Sequence, residues 1–249
     1  MSRRHLEGRR ILVTRAADDA DRWAAQLTAV GAQPLTLSCL ICEPITDDAT
    51  VQLLRDAVTA ADWLLLTSAR GVQAVGQLLE RGAPLPVGLR IAAVGPATAA
   101  ACTTQFGRVD FVARENTSVG LANNLAEMFR NDAATKQVRV VMAATATGND
   151  DAAALLGAAG MMVTQVAVYR TVPAPAAATK RDLAAEGIEI ILLASPSAVI
   201  GLMHLAVPPA SARVITIGPT TSKAATAAGL VVAGEAKQPT FEGILEAIA

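Results

Sequence analysis

Two parts of this chain repeat each other, and that repeat limits the possible folds more than any other feature. Leu64-Leu65-Leu66-Thr67-Ser68-Ala69-Arg70-Gly71-Val72 aligns with Ile191-Leu192-Leu193-Ala194-Ser195-Pro196-Ser197-Ala198-Val199. Ala93-Val94-Gly95-Pro96-Ala97-Thr98 then aligns with Thr216-Ile217-Gly218-Pro219-Thr220-Thr221. Thr117-Ser118-Val119 falls near the place of Pro239-Thr240-Phe241. Residues 139–169 match the opening unit, with Gly160 in the role of Gly31. Each copy runs from a short apolar stretch into a helical pattern, so the chain is two similar α/β halves.

The apolar runs predict buried strands over 10–15, 33–41, 63–67, 90–94, 109–113, 138–143, 163–171, 188–194, 213–217 and 230–233. Helical spacing of Trp23, Leu27 and Val30 predicts the first helix. Asp18, Asp19 and Asp21 suit its positive end, and Gly31 closes it. Further helices are predicted over 51–60, 69–79, 118–130, 150–159, 179–186 and 241–249. Strand and helix alternate throughout, which gives the class: α/β, two similar domains, each a parallel sheet flanked by helices. The extended runs at 35–43 and 164–173 suit a two-stranded connector. One domain is then built from both chain ends, 1–37 plus 173–249. The other, 43–166, is inserted, with connector strands at 38–42 and 167–172.

Composition narrows the function. Across 249 residues, Lys+Arg total 21 and Asp+Glu 22, and aromatics are only 3%. A formal charge of −1 supplies no broad basic face for nucleic acid or an anionic membrane. Two His cannot build a His-rich metal site, and three Cys cannot make a disulfide framework. Cys39 and Cys42 form C-x-x-C, but in an extended apolar run that points them to opposite faces, so they read as apolar fillers. His204, within a helical pattern, reads as packing or surface. The polar start has no apolar core of a secretory signal, and no run approaches the ~20 residues of a membrane span. A cytoplasmic, cofactor-free monomer is the expectation, and any catalysis must use hydroxyls, amides, a few charges and one tyrosine.

Four strand-to-helix turns carry the candidate ligand groups. They are Thr67-Ser68 with Ala69 and Arg70, Gly95 with Thr98, Ser195-Pro196-Ser197, and Gly218-Pro219-Thr220-Thr221. Taken singly, each reads as a helix cap. Together, on the same side of their sheets, they read as a cleft of amide and hydroxyl donors suited to a polyanion. Thr14 and Arg15 follow the first strand, and an Arg fork suits a carboxylate, though a surface role fits the spacing equally. Tyr169, the single tyrosine, lies near the connector, where a strand aromatic with an exposed hydroxyl is the plainer reading.

Val13-Thr14-Arg15, Thr67-Ser68 with Val72, Val94-Gly95-x-x-Thr98, Val168-Tyr169-Arg170-Thr171, Ser195-Pro196-Ser197 and Ile217-Gly218-Pro219-Thr220-Thr221 occur in an order and spacing that resembles the uroporphyrinogen-III synthase family. The resemblance covers about residues 9–249. It implies two parallel-sheet domains on a flexible connector and a lyase that needs no cofactor. Such an enzyme cyclises hydroxymethylbilane, a linear tetrapyrrole with eight carboxylates, to uroporphyrinogen III with inversion of ring D and loss of water. It implies that Tyr169 hydrogen-bonds the departing hydroxyl, and that Ser118, Thr147 and Gly148 join the four turns as substrate contacts. One stretch departs from the family. Residues 143–150 carry no Lys or Arg, so a carboxylate there would rely on Thr147 and backbone amides. A non-catalytic homologue binding a small polycarboxylate is the competing reading, and the type of product separates the two.

Overall fold

The computed structural model describes residues 6–79, 85–129, 137–147 and 150–248, apart from the side chains of 17–19. In chain order the elements begin β1 (Arg10–Val13), α1 (Ala17–Thr28), β2 (Gln33–Thr36), β3 (Leu40–Pro44), α2 (Asp48–Ala60), β4 (Trp63–Leu66) and α3 (Ala69–Leu79). Next come β5 (Arg90–Ala93), α4 (Pro96–Phe106), β6 (Phe111–Val112), α5 (Ser118–Phe129), β7 (Arg139–Thr145), α6 (Asp151–Ala158) and β8 (Met162–Pro173). The remainder are β9 (Arg181–Asp182), β10 (Ile190–Leu193), α7 (Pro196–Leu205), β11 (Ala206–Val207), β12 (Arg213–Thr216), α8 (Pro219–Ala227), β13 (Val232–Glu235) and α9 (Phe241–Ile248).

Packing divides the chain into Met1–Ile41 with Val172–Ala249, and Cys42–Thr171. The first unit holds a five-stranded sheet ordered β13-β12-β10-β1-β2, all parallel. The second holds a six-stranded sheet ordered β3-β8-β7-β4-β5-β6, parallel from β8 to β6. Strand for strand, β8-β7-β4-β5-β6 repeats β2-β1-β10-β12-β13, so the sequence repeat is a repeat of topology. Strand order reverses between β1 and β10 in one sheet and between β7 and β4 in the other. Open α/β sheets bind ligands at such reversals, outside the strand carboxyl ends.

The strands read as unbroken apolar runs because both faces of each sheet are covered. In β4, Leu64 and Leu66 enter one core cluster while Trp63 and Leu65 enter another. In β1, Ile11 and Val13 pack on one face and Leu12 on the opposite one. Gly31 and Gly160 both end their helices at φ +85°, the left-handed conformation read from their positions.

Several sequence expectations fail, each for a local reason. No helix forms over 179–186. Instead β9 pairs with β11, and the Asp182 carboxylate accepts the amides of Ala184 and Ala185 at 2.9 and 3.2 Å. Asp offers the backbone this turn in competition with the helix. The expected strand 33–41 is two strands. Its middle folds tightly, the Cys39 amide donating to the Leu37 carbonyl at 2.7 Å, before β3 joins the other sheet. The strand at 109–113 shrinks to Phe111–Val112, because the Asp110 carboxylate accepts the Ile91 amide at 2.7 Å.

Cys39 and Cys42 therefore do not lie on one strand as the sequence suggested. Cys39 is buried in the turn, and burial pushes its thiol up to about 12; Cys102 is pushed to about 11 by the same cause. Cys42 is half-buried on β3, 3.7 Å from the Thr171 hydroxyl. Alkylation at pH 8 should therefore label Cys42 alone in the folded protein, since thiolate and access are both needed. Peptide mapping checks this, and early label on Cys39 would contradict the packing.

Candidate active site

Tyr169 stands within β8 at the last residue paired with β7, and a bulge sets its direction. Ala144 pairs with Ala167 but Thr145 pairs with Tyr169, so Val168 is an extra residue. Strict alternation would put Tyr169 on the face of Val163. The bulge re-aims it to the face of Val166 and Val168, against the core that α3 covers. There its hydroxyl lies 3.3 Å from the Ser68 hydroxyl. Ser68 is the N-cap of α3, accepting the Gly71 amide at 3.0 Å. A β-carbon at Gly71 would crowd Ser68 Oγ at 3.3 Å and meet Tyr169 Cε1 in ordinary contact at 3.9 Å. The Tyr169 carbonyl accepts the Ala146 amide at 2.9 Å, which locks the strand end. Beside it the Thr145 hydroxyl is buried with no hydrogen-bond partner among the described residues. This group lies at the β7–β4 reversal.

Thr67, Ala69 and Arg70 belong to the same turn and are half-buried. The neighbouring turn is more closed than expected. Gly95 and Thr98 are buried, and a β-carbon at Gly95 would meet Asn116 Oδ1 at 2.4 Å. Asn116, exposed and lying over Gly95, is a candidate the sequence reading missed. Its only signal was the Glu-Asn-Thr loop before α5. Ser118 opens α5 but does not cap it; the Thr117 hydroxyl does, accepting the Gly120 amide at 2.9 Å. Thr240 caps α9 in the same way through Gly243 at 3.1 Å, so Thr117 matches Thr240 and the sequence alignment there was off by one. Thr147 is exposed, and Gly148 lies outside the described residues.

The unit containing both chain ends offers a parallel set of turns. Thr14 is a correction: it is fully buried and its hydroxyl donates to the Leu192 carbonyl at 2.7 Å, tying β1 to β10 rather than facing a ligand. Arg15 lies with its guanidinium carbon 4.7 Å from the Trp23 ring centre. Ser195 caps α7 through the Ala198 amide at 3.1 Å, with Pro196 and Ser197 in the first turn. Gly218 opens α8, Pro219 and Thr220 are exposed, and Thr221 is buried. The sequence reading also missed Ser222. Its hydroxyl lies 2.7 Å from Thr216 Oγ1 and donates to the Glu235 carboxylate, joining α8 to β12 and β13.

Among the described residues no group of three or more His, Cys, Asp or Glu could hold a metal ion. No described helix is long and apolar enough to cross a membrane. His204 Nδ1 donates to the Ala174 carbonyl, 2.8 Å away, as a packing residue would.

Fold and turns together define an α/β protein with two doubly wound parallel sheets and hydroxyl-capped helices at their carboxyl ends. The family model for uroporphyrinogen-III synthase HemD matches residues 21–246, and the chain belongs to that family. The uroporphyrinogen-III synthase of Synechococcus elongatus is 31% identical over 173 residues. That match takes in 69% of this chain and 64% of the relative, less than two thirds of the relative's length. A crystal structure of a mutant uroporphyrinogen III synthase from Thermus thermophilus shares the fold, with a TM-score of 0.50 at 16% identity over 97% of both chains. Uroporphyrinogen-III synthetase from Helicobacter pylori gives a TM-score of 0.48 at 17% identity, over 96% of this chain and 97% of that one.

Proposed function

We propose that this chain is an active uroporphyrinogen-III synthase, a cofactor-independent lyase converting hydroxymethylbilane to uroporphyrinogen III and water. The observation that carries the proposal is the Tyr169 phenol, turned by a strand bulge onto the Ser68 hydroxyl at the sheet reversal, in a chain of this family. In this reading Tyr169 donates to the substrate hydroxyl as its C–O bond breaks. The pyrrole nitrogen supplies the electron pair and gives up its N–H proton to the departing oxygen, so the hydroxyl leaves as water and an azafulvene remains. The substituted carbon of ring D attacks it to form a spiro centre. Fragmentation and reclosure at the free carbon, with loss of that carbon's proton, leave ring D inverted.

The protein's part is positioning and hydrogen bonding, because the substrate carries its own electron push. Ser68 keeps the phenol oriented while capping α3. The eight carboxylates would be met by helix-start amides at the Ser68, Ser195 and Gly218 turns, by Ser118 and Thr147, and by Arg15 and Arg70. Two domains would be joined by the paired segments β3 and β8, the protein acting as a cytoplasmic monomer.

The test supplies hydroxymethylbilane and separates the products. Type III product above the spontaneous rate is expected. Type I product alone, at the spontaneous rate, would overturn the proposal.

A further inference from the structure

The buried hydroxyl of Thr145 has no part in the reaction described above. Thr145 ends β7, on which Val141 and Ala143 enter the core that α3 covers. Alternation along the strand puts Thr145 on that same face. The bulge turns its paired residue, Tyr169, to this face as well. β7 lies between β8 and β4 in the sheet. The Tyr169 side chain starts on β8, and its hydroxyl reaches Ser68, just past the end of β4, at 3.3 Å. To do so it crosses the end of β7. The place that a β-carbon of Gly71 would take marks the crossing, 3.8 Å from the Ala143 carbonyl oxygen and 3.9 Å from Tyr169 Cε1. Tyr169, Thr145 and Ser68 thus form a row of hydroxyl residues on three adjacent strand ends.

Tyr169 and Ser68 have each other, whereas the Thr145 hydroxyl is shut from water with no hydrogen-bond partner among the described residues. An unpaired buried hydroxyl costs stability, and valine would fill the same space without it. That cost is offset only in a state where the hydroxyl finds a partner. The phenol of Tyr169 carries one proton. Against Ser68 either hydroxyl can donate. Once the phenol donates to a substrate, its oxygen can only accept from the protein, and Thr145 holds an uncommitted O–H on the same face.

We propose that Thr145 is a positioning residue for the reaction: as Tyr169 donates to the departing hydroxyl, the Thr145 hydroxyl donates to the phenolic oxygen and fixes its direction. The added bond also polarises the phenol toward its own donation. No proton passes between Thr145 and Tyr169. This role rests on the synthase reading above; the unpartnered hydroxyl does not.

Thr145→Val removes the hydroxyl and keeps the shape. It should lower kcat for type III product about fivefold with little change in KM, the effect of one hydrogen bond made only as the phenol donates. The same variant should raise Tm by about 2 °C, because an unpaired buried hydroxyl is gone. Thr145→Ser keeps the hydroxyl and should hold kcat within about twofold of the wild type. In Tyr169→Phe protein, Thr145→Val should cause no further loss, since the group it acts through is absent. A merely structural role gives the opposite pattern, a lower Tm and the same fold loss in both backgrounds. If Thr145→Val does not fold, Thr145→Ala carries the same kcat comparison. Unchanged kcat for type III product, or an equal loss in the Tyr169→Phe background, would overturn the role of Thr145 and leave the synthase reading standing. Type I product alone from the wild-type chain, at the spontaneous rate, would overturn that reading and the role with it.

Discussion

Tyr169→Phe is expected to lower kcat for type III product roughly tenfold to a hundredfold, the worth of one hydrogen bond to a group gaining charge. The phenylalanine ring keeps the packing against the core of Val166 and Val168 and removes only the hydroxyl. Ser68 still caps α3 through Gly71, so the helix start survives. The lost Tyr169–Ser68 contact, at 3.3 Å and half-buried, contributes about 0.5–1 kcal/mol at most, so the melting temperature should scarcely move. Type I product should rise as a share of the total, because spontaneous closure then competes with a slower enzyme. Stopped assays with product separation, alongside thermal denaturation, check both parts. Unchanged kinetics would remove Tyr169 from the chemistry, and a large fall in stability would make it a packing residue.

The sequence revealed more of the sheets than of the site, for a physical reason. β4 and β10 are buried on both faces, so four consecutive apolar residues announce them without any partner being known. Gly31 and Gly160 announce helix ends because the left-handed conformation favours glycine. The direction of Tyr169 had no such signal. It depends on one unpaired residue, Val168, and a bulge is a property of two strands rather than of one. Thr14 looked like a ligand group because it ends a strand, yet a hydroxyl beside a neighbouring carbonyl is spent within the sheet. Asn116 was invisible because its importance comes from lying over Gly95, a contact between loops about 20 residues apart in the chain. The false helix over 179–186 shows the same limit: Asp182 gave the backbone a turn instead.

Gly201→Ala is expected to be the most destabilising single-methyl change in the unit of both chain ends. Gly201 lies buried in α7, and a β-carbon there would stand 1.8 Å from the Cys39 carbonyl oxygen and 2.8 Å from its carbon. No rotamer relieves this clash, since both contacting groups are backbone. Either α7 must withdraw from the sheet or the turn at Cys39 must move. Withdrawal opens the cluster of Cys39, Val199 and Leu202. Moving the turn strains the bond by which the Ala174 amide donates to the Cys39 carbonyl at 2.8 Å. Overpacking costs about 1–3 kcal/mol and a lost buried hydrogen bond about 1 kcal/mol more, so the melting temperature should fall by about 10 °C. Gly157→Ala supplies the control. That glycine is exposed in α6 with nothing within 4 Å of a β-carbon, so alanine there should be neutral or slightly stabilising through helix propensity. Equal melting temperatures for the two variants would refute the contact of α7 with Cys39. A fall confined to Gly201→Ala would show that the close backbone approach, and not helix propensity, requires glycine at this position.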